Sequence, residues 1–376
     1  MSWRTAKTSA GTRRFLLALL LVLGTLAGIA LAEVVLRVHY VLSYSGRLED
    51  LAARTELPAR NSRVKLGEML RLSANPRIIY ELKPNLDVSF RSVPVRTNEA
   101  GWRDAPFLLE KGDDTVRIVA IGDSVLFGWA VPAGRRYADL LEQMLNRRYP
   151  GRTWEIMVFA APGYNLVMEL EVLRSRGLAY QPDAILYGYT SNDSCLPNFV
   201  SDRLEVFSAT SFLRQYLTGL TLQDLGLIVR DDRMIEGTAF SESGEFEELK
   251  FCDPATVSSQ YRDLVGMGPF QAGLEDLARM GSELGVPVFF IDHPILDGYP
   301  EAVVPEGLIE VDAIRGFAPI DGARFRTRLD PKQHQLSMWD PHPTVAGNAL
   351  IAKNVFEQLE AAGVWARLAG ERAQER

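Results

Sequence analysis

Ser124 and His342 are the residues of this chain best placed by their neighbours to do covalent chemistry. Ser124 closes the run Val116-Arg117-Ile118-Val119-Ala120-Ile121-Gly122-Asp123-Ser124. A serine hydroxyl attacks a carbonyl only when a base takes its proton, and the usual base is a histidine oriented by a carboxylate. The chain holds four histidines, His39, His293, His334 and His342. His342 stands in Trp339-Asp340-Pro341-His342-Pro343-Thr344. Pro341 and Pro343 each push the residue before them out of the helical region, so Asp340 to His342 is expected to be extended. Residues i and i+2 of an extended segment share a side, which lets the Asp340 carboxylate orient the ring through Nδ1 and leaves Nε2 for Ser124.

A tetrahedral acyl intermediate also needs hydrogen-bond donors, each worth about 10²–10³ in rate when aimed in advance. The backbone N–H groups of Ser124 and Gly163 and the side-chain amide of Asn192 are of that kind. Asp123 and Asp193 read as carboxylates that bond loop amides. His293 reads as a structural histidine at a strand end, His39 abuts an apolar run and His334 lies in a polar loop. No two histidines or carboxylates share a helical i, i+4 ligand pattern with a third group, so no metal site is expected, and no cofactor either.

The elements that must position these residues alternate. "VRIVAIG" has the length of a buried strand, and "YADLLEQMLNRRY" carries Leu140, Leu141, Met144 and Leu145 at helical spacing. "WEIMVFAAPG", "DAILYGY" and "VPVFFID" read as further strands. "LVMELEVLRSRGL", "QAGLEDLARMGSELG" and "TVAGNALIAKNVFEQLEAAG" read as helices, the last capped by Thr344. Alternation of this kind implies a parallel sheet between helices, because parallel neighbours need crossover connections. Ligands in such sheets gather at the carboxyl ends of strands, where Ser124, Gly163 and Asn192 all fall.

These blocks, a Gly-Asp-Ser after the first strand, a glycine after the second, Asn192-Asp193 after the third and a C-terminal Asp-His pair, resemble those of the SGNH, or GDSL-like, hydrolase family. The upstream "TNEAGWRD" resembles a segment found before the serine block in membrane-anchored bacterial members. The resemblance covers roughly Val116 to Ala361. It implies an α/β class fold, a three-layer α/β/α sandwich with a central parallel sheet of flavodoxin-like form, and ester hydrolysis. By position it implies Ser124 as nucleophile, Asp340 and His342 completing the triad, and Ser124, Gly163 and Asn192 as the oxyanion hole. Two departures stand out: Thr190 occupies the place of the glycine common before Ser191-Asn192-Asp193, and the Asp-to-His gap is one residue shorter than the commonest form.

The N-terminus adds a membrane. Arg4, Lys7, Arg13 and Arg14 precede an apolar run from Phe15 to Ala32, and the run resumes at Val34-Val35-Leu36 before Arg37. That asymmetry predicts a single-pass helix with its N-terminus inside. The alternative is a cleaved signal peptide, since Ala30-Leu31-Ala32 has the form of a cleavage site. A net charge of −7 excludes a nucleic-acid partner that needs a basic face. Cys195 and Cys252 are the only cysteines, enough for one bridge but no framework, and their pairing stays open.

The expected organisation is a basic segment over 1–14, an anchor over 15–37, an appendage over 38–110, a hydrolase-like domain over 111–365 with an insertion at 201–252, and a tail over 366–376. The expected activity is that of a serine esterase held in a bacterial inner membrane, facing the periplasm or outside. Its expected substrate is an acyl ester, acetyl among the candidates, of an envelope glycan or lipid. Two rivals remain: an O-acyltransferase using the same residues, and a non-catalytic envelope protein that binds glycans or assists assembly.

Overall fold

A computed structural model of the chain describes residues 10–43, 56–64, 66–196, 211, 213, 252–255, 257, 259–293, 302–315, 335–337 and 340–370. The insertion read at 201–252 lies outside these, apart from 211, 213 and 252, as does His334. The described residues fall into two compact units.

The first unit is α1 (Ala10–Ser43) with Ser211 and Leu213. Arg13–Val38 gives 26 residues of mean hydropathy 2.6, long and apolar enough to cross a membrane or to serve as a signal sequence. At 1.5 Å per residue this stretch is about 39 Å long, against a hydrocarbon core of about 30 Å. Glu33 is the acid within it, and its carboxylate pairs with Arg37 at 2.7 Å. It also accepts hydrogen bonds from Ser211 Oγ and Leu213 N, each at 2.9 Å. An ionisable group on such a helix needs partners of this kind.

The second unit begins with short elements: α2 (Leu66–Met69), β1 (Leu70–Leu72), β2 (Tyr80–Leu82), β3 (Asp87–Phe90) and β4 (Val93–Arg96). β1 pairs antiparallel with β2, and β3 with β4. The alternating Val88, Phe90 and Val95 are buried. Arg91 and Ser92, which join β3 to β4, have φ of 48° and 62°. Two left-handed residues in a two-residue loop make the primed turn that matches strand twist.

The main layers follow in the order β5 (Thr115–Gly122), α3 (Ser124–Phe127), α4 (Tyr137–Arg148), β6 (Thr153–Ala160), α5 (Leu166–Ser175), β7 (Ala184–Thr190), α6 (Met267–Leu284), β8 (Val288–His293) and β9 (Leu308–Asp312). The two-stranded pair β10 (Gln335–Ser337) and β11 (Asp340–Pro343) comes next, then α7 (Val345–Ala361) and α8 (Val364–Leu368). The sheet is parallel throughout, with strand order β6-β5-β7-β8-β9. Counted from its own first strand this is 2-1-3-4-5, the flavodoxin-like order, whose direction reverses between the strands that here are β5 and β7. Right-handed crossovers then place α4 and α7 on one face and α5 and α6 on the other. β7 is buried along its whole length and β5 from Val116 onward, as parallel strands covered on both faces must be.

Four sheet strands and four core helices, α4 to α7, fall where the sequence patterns place them. β9 is an addition, and α6 begins at Met267, ahead of the expected Gln271. Residues 268 and 269 are Gly and Pro, which read as breakers, yet the first turn of a helix has no intrahelical acceptor to lose. Thr344 caps α7, accepting a hydrogen bond from Gly347 N at 3.2 Å.

Candidate active site

Ser124 stands at the switch point of the sheet. β5 ends at Gly122, Asp123 caps α3 by accepting from Val125 N at 2.9 Å, and Ser124 is the first helical residue. The turn is tight enough to require glycine before it. A Cβ on Gly122 would lie 2.8 Å from Leu126 Cβ and 2.9 Å from Leu126 Cδ2, well inside contact distance. Ser124 Oγ donates to Asp123 Oδ2 at 3.0 Å, so Asp123 serves both the loop amide and the hydroxyl.

His342 comes to this serine from 218 residues away, its Nε2 standing 2.8 Å from Ser124 Oγ. It lies on β11, so the extended path expected from Pro341 and Pro343 is present, paired with β10 through Gln335 and Pro343 and through Ser337 and Asp340. The Asp340 backbone belongs to that strand, while its side chain lies outside the described residues. Asn348, in the first turn of α7, steadies the segment. Its Nδ2 donates to Pro343 O at 3.1 Å and Thr344 O at 3.0 Å, and its Oδ1 accepts from Tyr137 N at 2.9 Å at the start of α4.

Gly163 follows β6 in the turn Ala161-Pro162-Gly163-Tyr164, closed by Tyr164 N donating to Ala161 O at 3.2 Å. Proline second and a glycine of φ 79° third are the marks of a type II turn, which other residues enter only with strain. Asn192 follows β7 in a 3₁₀ turn, Ser191–Ser194. Thr190, the residue at the departure noted above, has φ −130°, ordinary extended backbone. Its hydroxyl and amide both donate to Asp193, at 2.8 and 3.0 Å, and Tyr187 Oη donates to the same carboxylate at 2.6 Å. The substitution therefore adds a bond to the turn. Asp193 is a loop-bonding carboxylate, and burial, followed by the nearby charge of Asp123, pushes its pKa well above the usual range.

Two further groups lie buried near these carboxylates. Glu169 on α5 is fully buried, and neither of its oxygens has a hydrogen-bond partner. Burial, with the charges of Asp193 and Asp123, raises its pKa well above the carboxylate range. His293 ends β8 with Nδ1 3.0 Å from Tyr189 O, and burial lowers its pKa to about 4. It is neutral at pH 7, in keeping with a structural part. The side chain of His39 lies outside the described residues.

Sequence reasoning passed over Asn348, Trp129 and Tyr80. The Trp129 indole stacks on the His342 ring with centroids 4.9 Å apart and planes 18° apart, and Tyr80 Oη donates to Pro162 O at 2.8 Å beside Gly163. Neither residue carries a spacing signal, because each acts through a contact distant in sequence. Cys195, three residues after Asn192, is bridged to Cys252, which answers the question left open by the sequence. Among the described residues no three His, Cys, Asp or Glu side chains are grouped to hold a metal ion.

No family model matches the chain, and no curated protein matches it. Solved structures of similar arrangement include a putative lipolytic protein of the G-D-S-L family from Desulfitobacterium hafniense, 10% identical, covering 64% of this chain and 98% of that one, with a TM-score of 0.35. A lipase from a goat rumen metagenome, Lip_vut3, is 13% identical over 67% of this chain and 99% of its own, at a TM-score of 0.36. A catalytic mutant of the acetylxylan esterase Axe2 from Geobacillus stearothermophilus is 15% identical over 69% and 97%, at 0.35. Likenesses of this degree do not set the chemistry of the chain, which rests on its own side chains.

Proposed function

We propose that this protein is a serine esterase of the SGNH type, anchored by α1, that removes an acyl group from an ester in the cell envelope. The observation that carries the reading is the 2.8 Å approach of His342 Nε2 to Ser124 Oγ at the switch point of a doubly wound sheet. A purely structural serine in the first turn of α3 needs no imidazole across 218 residues of chain.

In this reading the Ser124 hydroxyl turns its proton from Asp123 Oδ2 toward His342 Nε2, and Oγ attacks the ester carbonyl as that proton passes to the imidazole. The tetrahedral oxyanion lies against the N–H groups of Ser124 and Gly163 and the Asn192 amide. Collapse expels the alcohol, which takes the proton from His342 and leaves Ser124 acylated. Water then attacks the acyl-enzyme, giving its proton to His342, and the second collapse releases the carboxylic acid and returns the proton to Ser124. Asp340 orients the imidazole and balances its transient charge. No step needs a metal or cofactor.

The apolar Arg13–Val38 helix supports a membrane address, and basic Arg13 and Arg14 at its start favour the N-terminus inside and the sheet unit outside. The Cys195–Cys252 bridge supports the same side, since disulfides persist in oxidising compartments. The proposed substrate is an acyl, chiefly acetyl, ester of an envelope carbohydrate or lipid. The test uses the full chain in detergent with p-nitrophenyl acetate, longer p-nitrophenyl esters and a fluorophosphonate probe, alongside Ser124→Ala. Turnover and labelling that vanish in the variant support the reading. A folded wild type that neither turns over nor labels would sink it.

A further inference from the structure

The elements ahead of the sheet reach the two sides of the site at once. On the base side, three groups meet on one indole ring. His342 stacks on Trp129, Phe90 meets it edge-on at 4.9 Å and 83°, and Arg91 Cζ lies 4.8 Å from its centroid. Phe90 ends β3, and Arg91 is the first residue of the β3–β4 turn. Trp129 itself stands on a loop held by buried Arg103, whose Nη1 donates to Phe127 O at 3.0 Å and Gly128 O at 2.7 Å while Nη2 donates to Val131 O at 2.7 Å. On the oxyanion side, Tyr80 Oη donates to Pro162 O and Tyr164 Oη donates back to Tyr80 O, both at 2.8 Å. These bonds bracket Gly163 between its two chain neighbours.

The backbone supplies an independent sign. Among the described residues, seven other than glycine have positive φ: Asn61, Ile79, Asn85, Arg91, Ser92, Ala130 and Gln181. The asparagines tolerate this conformation, and Gln181 caps a 3₁₀ turn. The other four all adjoin the contacts just described: Ile79 precedes Tyr80, Arg91 and Ser92 form the turn, and Ala130 follows Trp129. A primed hairpin turn is least strained as Asn-Gly, and a β-branched residue in the left-handed region is a true outlier. Strain of this kind persists where the surroundings over-determine it, and it gathers at functional sites.

We propose that Arg91, Trp129 and Tyr80 are positioning residues of the esterase site: Arg91 and Trp129 hold the plane of the His342 imidazole, and Tyr80 holds the Gly163 turn at the oxyanion. The proposal rests on the esterase reading above. It makes the segment before the sheet a working part of the site, where it could have been a spacer between membrane and enzyme. Misplacing a catalytic group by about 1 Å costs on the order of 100-fold in rate. The effect falls on kcat, because none of the three residues need touch the ground-state ester.

The experiment measures kcat, KM and thermal melting of the full chain in detergent for Trp129→Leu, Trp129→Phe, Tyr80→Phe and the double variant Arg91→Asn/Ser92→Gly. Trp129→Leu is expected to lower kcat about 10- to 100-fold with KM held within about twofold, while Trp129→Phe keeps the aromatic face and recovers most of the rate. Tyr80→Phe is expected to lower kcat about tenfold through the loosened oxyanion turn. The double variant should melt at a higher temperature and turn over several-fold more slowly, a pairing that a purely structural role does not produce. If Trp129→Leu does not fold, the double variant decides. Full kcat in a folded Trp129→Leu or in the double variant, or a Phe variant as slow as Leu, overturns the positioning role alone. A wild type that is itself inert and unlabelled overturns the esterase reading, and the positioning role with it.

Discussion

The serine and the histidine of the site are held in opposite ways. Ser124 is fixed by its immediate neighbours: Gly122 permits the close turn, Asp123 bonds both the Val125 amide and the serine hydroxyl, and the strand behind is buried along almost all of its length. His342 sits on a two-stranded ribbon outside the main sheet and takes its position from distant partners, Asn348 behind it and Trp129 across its face. The placement of the serine is thus a local product of one strand-to-helix turn. The placement of the histidine is a product of the whole tertiary structure, so loosening of the fold should reach the histidine first.

The largest effect expected comes from removing the proposed nucleophile. Ser124→Ala should lower kcat/KM by about 10³-fold or more with little change in melting temperature, because the capping carboxylate of Asp123 remains. Steady-state kinetics and a melting curve on the same sample check both halves. Next, Asn348→Ala should loosen the base without touching the serine turn. It removes the acceptor for Tyr137 N and two bonds to the backbone after His342, so about 2–3 kcal/mol of stability and about a tenfold loss of kcat are expected. Equal losses in kcat and in melting for this variant and for Gly122→Ala would erase the contrast between the two sides.

Gly122→Ala probes the local side. Its Cβ would press on Leu126 and approach Gly188 O to 3.4 Å, so about 1–3 kcal/mol of overpacking is expected, seen as a fall in urea midpoint. The smallest effect on rate concerns Glu169, whose carboxyl ionises near pH 4.3 in the unfolded chain. Its folded pKa is raised, so its contribution to stability is full below the unfolded pKa and is lost as pH rises through the folded one. Glu169→Gln should remove a slope of up to about 1.4 kcal/mol per pH unit over that window. The wild type should therefore lose more melting temperature than the variant between pH 5 and pH 8.

The same contrast explains what could be read in advance. The buried strands announced themselves because "VRIVAIG" and "AILYGYT" are nearly continuous apolar runs. β9 did not, since Leu-Ile-Glu-Val-Asp is an edge strand with one buried residue and carries no such run. Ser124 and His342 were legible as residue types whose chemistry needs one another, and they stand 2.8 Å apart; Gly163 and Asn192 were legible as residues that follow strands, and two prolines gave away the extended path at His342. Trp129, Arg91, Tyr80 and Asn348 were not. A tryptophan stacked on an imidazole 213 positions later in the numbering leaves no local pattern, because stacking depends on where two loops meet and not on the spacing within either. The cysteine pair was undecidable for the same reason: pairing requires Cα atoms within a few ångströms, and these stand 4.0 Å apart across 57 residues.

That bridge also determines how the protein breaks. Every peptide bond between Cys195 and Cys252 belongs to a covalent ring, so a protease that cuts there once opens the ring and releases no fragment. On a gel without reductant such a clipped chain still migrates as one species, and with reductant it separates into two. Asn192 lies just outside the ring, on the uncut backbone leading back to β7, so a chain nicked within it keeps that residue joined to the sheet.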